Sequence, residues 1–151
     1  GVNYFNPEYE IYTRYSYSSN EKKGLSNPVV GRTIEDKNGN LWIGTEGGGL
    51  NYYNRRTREF KWYRPQEGRN RISHNNVKAL YYDADKEIIW IGTHLGGLNK
   101  LDIRSGHFTH YRMEGNNPQS LPSDIIRDIC SRQKPLHDLT FSTNSGSVFH
   151  R

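Results

Sequence analysis

His107 and His110 are the closest pair of imidazoles in the chain, three residues apart in "HFTHY". The surrounding residues are strand formers, and on a strand that spacing sends the two rings to opposite faces, which suits no shared metal. Cys130 is the only cysteine, so it has no thiol partner for a metal site or an internal disulfide. No HExxH and no pair of carboxylates at catalytic spacing occurs, and the Ser, His and Asp residues are not organised by a nucleophile-elbow motif. "GTEGGG" at 44–49 has the look of a phosphate cradle, but such a cradle needs a helix N-terminus directly behind it. Here "LNYYN" follows, which is strand-like, so the glycines are read as a turn that uses φ > 0. No catalytic, cofactor-binding or metal-binding residue is assigned, and the chain is expected to need no cofactor and to carry out no catalysis itself.

The elements behind these residues are set by an internal repeat. Trp42 and Trp90 stand 48 residues apart, as do Gly44-Thr45 and Gly92-Thr93, Phe60 and Phe108, and Tyr63 and Tyr111. "GLN" at 49–51 recurs at 97–99, and "GVN" at 1–3 is an earlier copy, with Tyr12 and Tyr15 matching Phe60 and Tyr63. Upstream of each Trp the offset is 47, from Val30–Asp36 to Val77–Asp83, because "DADKE" holds one additional residue. Equal spacing makes the two Trp residues packing elements before it makes them sugar platforms. Burying about 200 Å² of each at roughly 25 cal/mol per Å² contributes at most about 5 kcal/mol.

Each unit reads as four short strands. "VVGRTIED" and "VKALYYD" give the first, "LWIGT" and "IIWIGT" the second, "LNYYN" and "LNKLD" the third, "FKWY" and "FTHY" the fourth. Short polar or Gly-rich turns separate them. About a dozen mostly polar residues, "RPQEGRNRISHN" or "RMEGNNPQSLPS", then lead to the next unit. Three hairpins leave the fourth strand at a sheet's outer edge, and the next sheet must begin at the inner edge. Crossing three strand spacings of about 4.8 Å requires that longer connection. The expected fold class is all-β: four-stranded antiparallel β-propeller blades with a 48-residue repeat, as an incomplete propeller fragment. Aromatic residues at 13%, including eleven Tyr, and fifteen Gly suit β-structure.

"EDKNGNLWIGTEGGGLNYYN", the "LWIGT…GGLN…F..Y" pattern and the linker "NNPQSLPSD" resemble the two-component regulator propeller repeat, over residues 1 to about 130. That repeat is typical of the periplasmic sensor region of Bacteroides-type hybrid two-component systems. The resemblance implies many such repeats in two propellers, followed by a β-sandwich, a membrane helix and a cytoplasmic kinase. It also implies periplasmic localisation, as the sensor part of an inner-membrane protein, and an oligosaccharide ligand released from polysaccharide.

Aligning Gly1 with Gly49 makes residues 1–15 the last two strands of a blade, 28–64 and 76–112 complete blades, and 124–130 the first strand of a further blade. The start at Gly1 rather than Met reads as processing or excision. After Cys130 no Trp-Ile-Gly-Thr follows, and 131–151 is expected to be a divergent tail. A frameshift, cloning artefact or truncated gene is the first account of it. A capping hairpin, "HDLTFST" and "SVFHR" around Asn144-Ser145-Gly146, is the second. Open blade faces predict packing against further blades, self-association or marginal stability.

Recognition is sought where the units differ on a shared frame. The turn after the second strand and the inter-blade linker emerge on one face. That face carries Glu46 in one unit and His94 in the other, at matched positions. It also carries Arg69, Asn70, Arg71, His74, Asn75 and Asn76 in one linker, and Asn116, Asn117 and Ser120 in the next. Glu46, His94, Arg71, His74, Asn76 and Asn117 are the ligand-binding candidates, since amide, guanidinium and imidazole groups suit a glycan. The net charge of +5 is spread among interspersed acids, which reads as a solvated mixed surface, with no nucleic-acid partner expected. No apolar run is long enough to span a membrane. Against the sensor reading stand a propeller lyase or hydrolase and a structural protein–protein platform.

Overall fold

The computed structural model describes residues 1–6, 11–66, 70–131, 139–144 and 148–150. Strands β1 (Val2–Asn6) and β2 (Ile11–Tyr15) pair as a two-stranded sheet. Strands β3 (Val30–Glu35), β4 (Leu41–Thr45), β5 (Leu50–Asn54) and β6 (Glu59–Tyr63) form a four-stranded antiparallel sheet in chain order. Strands β7 (Val77–Asp83), β8 (Ile88–Thr93), β9 (Leu98–Asp102) and β10 (His107–Tyr111) form a second. Strands β11 (Ile126–Ser131), β12 (Leu139–Thr143) and β13 (Val148–His150) form a three-stranded sheet. The first strands are neighbours, with β7 lying against both β3 and β11. Sheets stacked side by side with their first strands innermost are the blades of a β-propeller.

Three apolar layers glue the blades. Val2 and Tyr15 pack on Leu41, Ile43, Tyr53 and Phe60 of the β3–β6 sheet. The far side of that sheet, with Trp42 and Leu50, meets Val77, Leu80, Ile89 and Ile91. Ala79, Trp90 and Leu98 then meet Ile126, Ile129 and Phe141. Both repeated Trp residues are buried, Trp42 against Tyr52 and Tyr63 at ring-centroid distances of 4.6 and 5.8 Å. The glycine of "WIGT" explains itself at these layers. A Cβ on Gly44 would stand 2.6 Å from Val77 Cγ1, and one on Gly92 would stand 2.6 Å from Ile126 Cγ2. Each of these glycines is the gap into which the next blade's first strand fits.

The linkers are less polar than their composition suggests. Leu25 and Ile72 are fully buried, and each precedes a serine locked to the blade. The Ser26 amide donates to Asn51 Oδ1 at 2.8 Å, and Asn51 Nδ2 returns a bond to Ser26 Oγ at 2.8 Å. Ser73 and Asn99 repeat this exchange at the same distances. Each linker thus closes onto the third strand of the sheet that it leads into.

The turn preceding each Trp differs between the sheets. In "DKNGN" Asp36 accepts bonds from the Asn38 and Asn40 amides at 2.9 and 3.0 Å, and from Trp42 Nε1 at 3.1 Å. The additional residue of "DADKE" moves Asp83 out of reach, where it accepts from the Lys86 amide instead. Trp90 Nε1 is consequently buried without a hydrogen-bond partner.

Beyond Ser131 the sheet continues. β12 pairs antiparallel with β11, and β13 pairs antiparallel with β12. The Asn144 amide donates to the Ile125 carbonyl at 3.3 Å, as His94 does to Asn76 and Glu46 to Val29 at 3.0 Å. Thr143 is buried like Thr45 and Thr93. "LTFST" at 139–143 therefore occupies the position of "LWIGT" at 41–45, with Thr140 for Trp and Ser142 for Gly. Those two replacements removed the letters by which the repeat is recognised. Residues 132–138 and 145–147 of the tail, including the expected Ser145-Gly146 turn, lie outside the described residues.

Candidate ligand-binding rim

The rim is built where the second strands end and the next first strands begin. Glu46 forms an antiparallel bridge with Asn76, and His94 forms one with Ile125. The turn of each blade is also held by the linker that follows it: the Gly49 amide donates to Asn75 O at 2.7 Å, and the Gly97 amide to Asp124 O at 2.8 Å. Positive φ at both glycines, +79° and +71°, aims those amides.

All three first strands shift register at their start, between Val30 and Thr33, Val77 and Ala79, and Ile126 and Asp128. A bulge inserts a residue and re-aims its side chain. At the second and third of these bulges the inserted residues are Lys78 and Arg127. Lys78 Nζ bonds Glu46 Oε1 of the preceding blade at 2.5 Å. Arg127 donates to the Asn144 amide oxygen. Lys78, His94, Arg127, Asn144 and Ile125 together line an open recess of about 410 Å³. Arg32 of β3 bonds Asp128 of β11 at 2.9 Å, although β7 lies between those strands. That bond links the first and third of these sheets across the second.

The sequence candidates divide among three places. Glu46, His94 and Asn76 meet on this rim, where the His94 amide donates to Asn76 O. His74 is a turn residue beside it: its Nδ1 accepts the Asn76 amide at 3.0 Å, and its Cβ lies against the Gly96 turn. Arg71 sits in a separate cleft with Trp62, Arg64 and Phe108. Its carbonyl bonds His110 Nε2 at 2.6 Å, and its Nη1 is buried without a partner. Asn117 lies in the following linker, bonded to Glu114 Oε2 at 2.9 Å, on a groove with Leu98, Tyr111 and Phe141. Arg69 lies outside the described residues. Lys78, Arg127 and Asn144 were not among the candidates. Residue 31, the counterpart of Lys78, is glycine, so comparing two units showed no shared functional group there. Among the described residues no group of three or more His, Cys, Asp or Glu is placed to hold a metal ion.

The frame of this β-propeller rim repeats between blades, while the side chains that protrude from it differ. Residues 24–47 and 71–94 match the model of the two component regulator propeller, each match running from the linker through the first two strands to the rim turn. Over 84% of its length the chain superposes on the extracellular domain of BT3049 of B. thetaiotaomicron, a protein assigned as a hybrid two component system, at a TM-score of 0.71 and 28% identity. It superposes over 98% on the extracellular domain of BT4673 from the same organism, also assigned as a hybrid two component system, at a TM-score of 0.71 and 24% identity. PorZ, a surface component of the type-IX secretion system of Porphyromonas gingivalis, shares the fold over 97% at a TM-score of 0.66 and 16% identity. The chain spans 19%, 18% and 22% of those three structures respectively, so it corresponds to a few blades of much larger assemblies. No curated protein matches it in sequence.

Proposed function

We propose that the chain is part of an extracytoplasmic, periplasmic sensor domain of a two-component signalling protein, and that it contributes a rim that binds polysaccharide-derived oligosaccharides. The observation that carries this reading is the set of matched rim positions. Glu46, His94 and Asn144 are equivalent in the three sheets, as are Gly31, Lys78 and Arg127, and each set differs in chemistry on a common backbone. Hydrogen-bonding side chains of several kinds around an open recess fit a polyhydroxylated ligand. The likeness to extracellular domains of hybrid two component systems supports the signalling context. Signalling then requires that the ligand bind two arrangements of the sensor with different affinity. Screening the protein on an array of plant, host and microbial glycans tests the reading. Saturable binding of one glycan class is expected, without new reducing ends or unsaturated products. Product formation from a bound glycan would move the protein to the lyase or hydrolase class, and failure to bind any glycan would leave the protein–protein platform.

A further inference from the structure

Charge distinguishes the recess from the rest of the rim. Lys78, His94 and Arg127 reach it from β7, from the turn after β8 and from β11. Glu46 answers Lys78, but the partner of Arg127 among the described residues is the neutral Asn144 amide. Asp128, next to Arg127 in sequence, is engaged by Arg32. The recess thus holds a guanidinium without an acidic partner among the described residues, with an imidazole and an ammonium in the same wall. A guanidinium matches a carboxylate or sulfate bidentately, and such charge-assisted bonds are about twice as strong as neutral ones.

Building on the oligosaccharide reading above, we propose that this recess is a subsite for an anionic sugar, with Arg127 and His94 gripping a uronate carboxylate or a sulfate ester. Lys78, bonded to Glu46, forms a neutral pair in the same wall and leaves the grip to Arg127 and His94. The neighbouring Asn144 and the backbone of Ile125 complete a wall that a sugar ring can rest on. The bulges of β7 and β11 bring Lys78 and Arg127 to the recess, while His94 reaches it from the turn after β8.

Calorimetric titration of the whole protein with digalacturonate, galactobiose and sodium sulfate tests this. Digalacturonate should bind at least about tenfold tighter than galactobiose, the size of one charge-assisted bond. Arg127→Gln should lower digalacturonate affinity about tenfold and so remove that preference, and Arg127→Lys should restore part of it. His94→Gln should lower digalacturonate affinity several-fold, which keeps the proposal testable if the Arg127 variant fails to fold. Equal affinity for both disaccharides would overturn the anionic subsite and leave the oligosaccharide reading standing. Sulfate alone binding as tightly as digalacturonate would overturn the sugar as the source of the anion. Binding of neither disaccharide, alongside a glycan array without hits, would overturn both readings.

Discussion

Asn51 and Asn99 are fully buried amides, and each is used on both ends by a linker serine. Leaving a buried donor unpaired costs the desolvation of that donor, whereas replacing both partners together is nearly neutral. Asn99→Leu should therefore destabilise the fold by about 2 kcal/mol, read by urea unfolding, because the Ser73 amide loses its acceptor. A change below about 0.5 kcal/mol would show that the exchange is dispensable. The third sheet follows the same logic in its sequence, with Pro122 at the serine position and Phe149 at the asparagine position. At this scale the sequence discloses Glu46 and His94, because their backbone is identical in two units and their side chains are not. It conceals Lys78 and Arg127. A bulge breaks the alternation by which a strand residue is assigned to a face, and one of the three counterparts is glycine. Arg71 and Asn117 share composition with the rim residues but not their place, since a linker of a dozen residues visits several surfaces on its way between blades.

Turns show how the same element tolerates different residues. Asn54 to Arg58 and Asp102 to Gly106 are equivalent turns, each closed by an amide donating to a carbonyl at 2.8 Å. The closing residue has φ of 61° at Arg58 and 69° at Gly106. Only the glycine adopts this conformation without steric cost, and its larger unfolded-state entropy offsets part of the gain. Arg58→Gly should stabilise by about 0.5–1 kcal/mol in thermal melts, and destabilisation would contradict the reading. A second turn couples blades by charge. Glu87 bonds Lys37 of the preceding sheet at 2.7 Å, and also Arg104 of its own sheet. The Lys37 bond first, then the Arg104 bond, hold its carboxyl below the ordinary carboxylate range. A depressed folded value stabilises at pH above the unfolded value, and that contribution is lost as pH falls through the folded one. The melting-temperature gap between the protein and Glu87→Gln should therefore be present at neutral pH and close under acid conditions. A gap independent of pH would exclude the carboxylate as its origin. The strands themselves were legible because Trp42, Gly44, Thr45 and Phe60 recur at one spacing. The strand at 139–143 was legible only as half of the capping hairpin offered second, because Leu139, Phe141 and Thr143 carry no repeat signature without Trp and Gly.

Across the molecule, the repeat places equivalent turns side by side, so residues 48 apart in sequence become neighbours around an axis. Blade packing fixes that frame through Val77 in the gap at Gly44 and Ile126 in the gap at Gly92. The side chains that the bulges and turns push outward are free to differ between units, and the recess that Lys78, His94 and Arg127 line is assembled only when consecutive units are stacked. Two other surfaces compete with the rim for a ligand: the cleft at Trp62 and Arg71, and the groove at Tyr111, Asn117 and Phe141. Backbone amide mapping by NMR, with and without the best glycan from an array, separates them most directly. The account predicts the largest shifts at Glu46, Lys78, His94, Arg127 and Asn144. Shifts confined to the Arg71 cleft or the Asn117 groove, with the rim unmoved, would contradict it.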